Sequence, residues 1–236
     1  MEDRATRTTV EYAPGQQMDV YAPLPGCPTV LLWHGRGPSE RGVLSTLASS
    51  VAALGVAVFV PDWRSVAVDG GRSHLLASLA FVRQHGAELA RTQGSFVLAG
   101  WSLGGKAAAG LTLAPATVGG WAPDATVCIA SGFDTADPIT AKIPLDLLDT
   151  AGRLPPIHLV HGTRDQIVAN EKSRAFEAAL RSRAQDVELH ESETDHAGVV
   201  MTEYDPASGV CVRAKQPETL RAGQVTVDSL AKAACR

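Results

Sequence analysis

Short apolar runs punctuate the chain: TVLLW (29–33), VAVFV (56–60), FVLA (96–99), TVCIA (126–130), IHLV (157–160) and VELH (187–190). All but the last are almost continuously apolar, the pattern of strands buried on both faces of a parallel sheet. Between them, apolar residues step by three and four. Leu44, Leu47, Val51 and Leu54 do so, as do Leu75, Leu79 and Val82, Phe176 and Leu180, and Val227, Leu230 and Ala234. That period predicts helices, with Gly55 closing the first. MDVYAP (18–23) alternates and predicts an antiparallel edge strand. The alternation of strands and helices predicts an α/β fold, a doubly wound, mostly parallel sheet with helices on both faces. The irregular stretch 132–154 is too short for a large cap, so residues 1–236 are expected to form a single domain.

Composition narrows the function classes. With 236 residues and 45% hydrophobic residues, the chain can bury a substantial core. A formal net charge of -4 gives no basic face for nucleic acid or an anionic membrane. No run of apolar residues is long enough to span a membrane. The opening MEDRATRTTVEYAPG has no apolar stretch after its charges, so it is not read as a secretory signal. A cytoplasmic protein starting at Met1, rather than one cut from a longer precursor, is the expectation. Cys27, Cys128, Cys211 and Cys235 have neither CxxC nor zinc-finger spacing. They are expected to be free, Cys211–Cys235 being the one pairing left open.

Candidate chemistry begins at FVLAGWSLGGKAAAG (96–110). Its centre, Gly100 to Gly104, matches G-x-S-x-G between a strand-like run and an alanine-rich, helix-forming run. A sharp strand-to-helix turn there strains Ser102 and lifts its hydroxyl beside a helix N-terminus, where negative charge is favoured. The alternative is a glycine-rich turn with an N-capping serine. A serine nucleophile needs a base, and the base an acid. Asp165 lies in the loop just past IHLV, and His196 in the polar loop past VELH. Both are places where an open α/β sheet carries its sites. Asp195 adjoins His196, but adjacent side chains diverge; His190 is the one competing histidine. His161 is expected to hold the shape of the Asp165 loop. An oxyanion hole would draw one N–H from Leu103 and a second from the loop His34-Gly35-Arg36-Gly37-Pro38. Arg36 is the first choice there and Gly37 the alternative, since Pro38 has no N–H. His34 is expected to support that loop rather than react.

These segments resemble the α/β-hydrolase superfamily, and within it the small carboxylesterases and dienelactone-hydrolase-like enzymes. MDVYAP is similar to their opening strand, LLWHGRGP to their HGGG oxyanion loop, VAVFVPDWR to the segment after the next strand, LAGWSLGG to the elbow and LVHGTRDQIV to the acid loop. The resemblance implies a serine hydrolase that cleaves small carboxylic esters through Ser102, His196, Asp165 and an acyl-enzyme. It implies a small-molecule ester partner and no metal or organic cofactor. An acyltransferase, peptidase or C–C hydrolase on the same triad, or a non-catalytic ligand-binding relative, stays open. Two features depart from the pattern. Arg36 stands where HGGG enzymes have a glycine; its side chain is read either as a solvated arginine or as a cation at the mouth that would select anionic esters. Serine also replaces the cysteine of dienelactone hydrolase itself. Trp33, Trp63 and Trp101 are expected to pack in the core, a place in the lining of the pocket being the alternative for each.

Overall fold

Each of the six apolar runs forms a strand, in a computed structural model that describes residues 6–23 and 25–235. Residues 1–5, the start of the segment read above as lacking a secretory signal, lie outside the described residues. The element order is β1 (Thr6–Ala13), β2 (Gln16–Ala22), β3 (Thr29–Trp33), α1 (Ser45–Ala52), β4 (Ala57–Pro61), α2 (Arg72–Ala90), β5 (Phe96–Trp101), α3 (Leu103–Leu113) and β6 (Ala125–Ile129). It continues with α4 (Pro144–Leu147), β7 (Ile157–Gly162), α5 (Glu171–Arg181), β8 (Val187–Ser192), β9 (Thr202–Asp205), β10 (Val210–Arg213) and α6 (Pro217–Ala234).

Eight strands make one sheet in the order β1-β2-β4-β3-β5-β6-β7-β8. β3 to β8 run parallel; β2 is antiparallel to both β4 and β1. MDVYAP is therefore antiparallel, as expected, but it is not the edge. β1, a mostly exposed and polar strand, covers it.

The two faces carry different helices. On one, Leu47 and Val51 of α1 and Val227 and Leu230 of α6 pack on Val30, Val58, Val97 and Val127. On the other, Leu75 and Leu79 of α2 and Ala107 and Leu111 of α3 pack on Leu31, Phe59 and Leu98, while Phe176 and Leu180 of α5 pack on Leu159. Strand residues alternate between these layers because successive side chains point to opposite faces. Leu54, grouped above with the α1 stripe, lies beyond the helix end and is exposed. Gly55 does close that turn, at φ 87°.

Between β6 and β7 the described residues hold only the four-residue α4. The stretch after His196, by contrast, folds into an antiparallel hairpin, β9 with β10, outside the main sheet. No helix among the described residues is long and apolar enough to cross a membrane. All four cysteines are free, so Cys211 and Cys235 are not bridged.

Candidate active site

β5 ends at Trp101 and α3 begins at Leu103, so Ser102 alone makes the turn between them. It does so at φ 55° and ψ -118°, a conformation that costs a residue with a side chain roughly 1–3 kcal/mol. Three hydrogen bonds hold it there. The Ser102 N–H donates to the Ile129 carbonyl at 2.7 Å. The Ser102 carbonyl accepts from Ser131 Oγ at 2.9 Å and from the Lys106 N–H at 3.2 Å. The turn is also tight: a Cβ on Gly104 would run into the carbonyls of Trp33 and His34, and one on Gly100 into the backbone of Gly104. The Ser102 hydroxyl makes no capping hydrogen bond to α3, so the N-cap alternative does not describe it.

The loops that carry Asp165 and His196 leave neighbouring parallel strands and are stitched together. The Thr163 N–H donates to the Ser192 carbonyl and the Arg164 N–H to the Thr194 carbonyl, each at 2.9 Å. This pairing brings His196 to Asp165, with Nδ1 2.6 Å from Oδ2. The other carboxylate oxygen, Oδ1, accepts the N–H groups of Ile167 at 2.8 Å and Val168 at 2.9 Å. His161 is fully buried; its Nε2 lies 2.8 Å from the Val168 carbonyl and 3.2 Å from Asp165 Oδ2. A carbonyl only accepts, so Nε2 carries the proton, and Nδ1 accepts from Ser173 Oγ at 2.7 Å. Burial pushes the Asp165 carboxyl up. Hydrogen bonds from His161, His196 and the Val168 N–H outweigh it and hold the group far below the usual carboxylate range. Asp195 turns away to accept the Gly198 N–H at 2.7 Å. His190 faces Glu188 at 3.2 Å, not Asp165.

Trp101, expected in the core or in the lining of the pocket, joins these parts. Trp101 is buried, but its indole N–H donates to the His196 carbonyl at 3.0 Å, and the two rings stack at a tilt, 5.1 Å apart. The residue before Ser102 therefore anchors the loop that carries His196. That hydrogen bond was not read from the sequence.

On the other side lies the loop after β3. His34 is fully buried, and its Nδ1–H donates to the Gly35 carbonyl at 2.9 Å. Its Nε2 accepts the N–H groups of Trp63 at 3.1 Å and Glu40 at 3.2 Å. Burial pushes its pKa down to about 4, which keeps the ring neutral and able to accept. The Gly37 N–H donates to Ser65 Oγ at 3.2 Å. Leu103 opens α3, where first-turn N–H groups have no acceptor within the helix. Gly35 packs so closely that a Cβ there would lie 3.2 Å from the Ser102 Cβ.

Two cavities meet the chain at the residues flanking Ser102. The larger, about 640 Å³, is lined by Trp101, Ile167 and His196 together with Glu203, Tyr204 and Cys211 of the β9–β10 hairpin. The smaller, about 230 Å³, is lined by Leu103, Arg36, Val66 and Pro138. Arg36 is exposed, and its charge acts on Lys106 in the first turn of α3. The hairpin's part in the larger cavity had no sequence signal, because its residues are mostly polar and half-exposed.

No protein-family model matches this chain, and no curated protein does. Solved structures match it over nearly its whole length. The apo form of Thermogutta terrifontis esterase 2 aligns at a TM-score of 0.71 and 18% identity, covering 97% of this chain and 92% of that one. A thermostable esterase from Pseudomonas putida ECU1011 aligns at 0.72 and 16%, covering 98% and 83%. The Thermogutta enzyme phosphorylated by paraoxon aligns at 0.70 and 17%, covering 98% and 95%. With the sheet order above, this likeness shows the α/β-hydrolase fold without a large cap.

Proposed function

We propose that this chain is a serine hydrolase of small carboxylic esters, acting through Ser102, His196 and Asp165. The observation that carries the reading is the joining of a strained, uncapped Ser102 to a carboxylate-bound histidine through Trp101. His196 Nδ1–H is held by Asp165, which leaves Nε2 free of a proton to take one from the Ser102 hydroxyl. The alkoxide attacks the ester carbonyl, and the oxyanion is held by the N–H of Leu103 and a second N–H from the loop after β3. Arg36 is the better donor there, because the Gly37 N–H already serves Ser65. His196 then gives its proton to the leaving alcohol. Water cleaves the acyl-enzyme by the same route, and the chemistry draws on no metal or organic cofactor.

The structural neighbours support the substrate class, since each is an esterase and one is phosphorylated by paraoxon. The test pairs a fluorophosphonate probe with p-nitrophenyl esters. Wild type should be labelled and should turn over acetate and butyrate faster than palmitate, as the short β6–β7 connection leaves no large cap. Ser102→Ala should lose both labelling and several orders of magnitude in kcat. Labelling that persists in Ser102→Ala would overturn the assignment of the nucleophile. An unlabelled, inactive wild type would favour a ligand-binding protein instead.

A further inference from the structure

Away from Ser102, the neighbouring strands β7 and β8 bring three metal-ligating side chains together. His158 and Glu188 are register partners, and His190 lies two residues beyond Glu188, so all three project from one face of the sheet. Val160, on that same face, packs with Val227 and Leu230 of α6, which places the cluster under the C-terminal end of that helix. Glu188 Oε2 is 3.2 Å from His190 Nε2 and 3.6 Å from His158 Nδ1. One ligand atom from each residue lies within 4.8 Å of the others.

We propose that His158, Glu188 and His190 form a site for a divalent transition-metal ion of the zinc class. Two imidazoles and one carboxylate suit borderline ions such as Zn²⁺ or Co²⁺ better than the hard ions Mg²⁺ or Ca²⁺. Bonds of roughly 2.1 Å in tetrahedral geometry set ligand atoms about 3.4 Å apart. Two of the three separations already match that spacing. The third closes by rotation of His190, whose side chain is 35% exposed, around a buried and fixed His158. The exposure of Glu188 and His190 also gives a hydrated ion a way in, and water would complete the coordination.

Lys232, in the last turn of α6, now sets a cation on this carboxylate, with Nζ 2.6 Å from Glu188 Oε2. The position thus accepts positive charge, and Lys232, half exposed, must swing out for a metal to enter. The ion would clamp β7 to β8, the strands that lead to the Asp165 and His196 loops. Its role is to brace those strands, separate from the chemistry proposed for Ser102.

The test uses untagged full-length protein freed of metal with a chelator. Zn²⁺ binding is followed by calorimetry and Co²⁺ binding by visible absorption. Wild type should bind one equivalent, and Zn²⁺ at about a hundred times its Kd should raise the Tm by about 5–10 °C. His190→Ala and Glu188→Gln, both partly exposed and expected to fold, should weaken binding at least about tenfold. Lys232→Met should tighten it. His196→Ala should keep the one-equivalent site, which separates this cluster from an ion on the Ser102 side. No saturable binding up to about 1 mM Zn²⁺ would overturn the proposal. So would stoichiometric binding that survives both His190→Ala and Glu188→Gln.

Discussion

Asp165→Asn changes one atom at the carboxylate that holds His196, and the structure dictates which way the new amide must face. Oδ1 accepts two backbone N–H groups, from Ile167 and Val168, so the amide oxygen is pinned there. The NH₂ must then occupy the place of Oδ2, facing His196 Nδ1 and the proton-bearing Nε2 of His161. Toward His196 it donates where the carboxylate accepted. The ring is driven to the tautomer with its proton on Nε2, the nitrogen that takes the serine proton in the proposed mechanism. Such a change costs about 10⁴-fold in kcat, or roughly 5 kcal/mol of transition-state stabilisation. Toward His161 it sets donor against donor in a fully buried place, costing about 1–3 kcal/mol of stability and about 3–10 °C in Tm. Asp165→Ala removes the orienting acceptor without imposing the wrong tautomer, so its kcat should be no lower than that of Asp165→Asn. The assay is kcat for p-nitrophenyl butyrate at neutral pH, with thermal melts of the three proteins. An Asn variant that keeps more than about a tenth of wild-type kcat would refute the pinned-amide reasoning.

Three further outcomes follow from the same geometry. Because the Asp165 pKa is depressed in the folded state, its ionised form adds stability above the ordinary carboxyl value of about 3.8, and this is lost as pH falls toward the folded value. The Tm gap between wild type and Asp165→Asn should therefore shrink below about pH 4 in melts across an acid series, and a gap that widens would contradict it. Trp101→Phe keeps the ring packing but leaves the His196 carbonyl without its donor, at a cost of about 1–3 kcal/mol; kcat should fall by about ten- to a hundredfold with KM little changed, and an unaltered kcat would show that the anchor is dispensable. Arg36→Ala keeps the backbone N–H but removes the exposed cation beside Leu103, so KM should rise for esters bearing a carboxylate and not for neutral ones; equal loss on both would count against selection by charge.

How much of this was legible in the sequence depends on whether a residue's role is local. The apolar runs became strands because a strand covered on both faces must be apolar throughout, a property of the segment itself. Asp165 and His196 were readable because each follows such a run by a few residues, and neighbouring parallel strands deliver their following loops to one rim. β1 was missed because Thr6–Ala13 is exposed over most of its length and therefore polar. That omission also misplaced MDVYAP at the edge. The hydrogen bond from Trp101 was hidden because its acceptor lies 95 residues away. The His158 cluster was hidden because it depends on the register of β7 against β8, and spacing along one strand does not encode register.

Ser102, Asp165 and His196 are linked by hydrogen bonds within and between their loops. Asp165 is held by the N–H groups of Ile167 and Val168, and its loop by the carbonyls of Ser192 and Thr194, which belong to the end of β8 and the His196 loop. His196 is held in turn through its own carbonyl by Trp101, the residue before Ser102. Ser102 closes the chain of contacts on Ile129 and Ser131, at the end of β6, and β6 lies between β5 and β7 in the sheet. A Cβ at Gly162, which would run into the Thr194 carbonyl and come within 2.9 Å of that of Asp195, would push on the His196 loop. The strain in Ser102 persists because relaxing it would mean giving up contacts contributed by β6, α3 and the loop after β3 together.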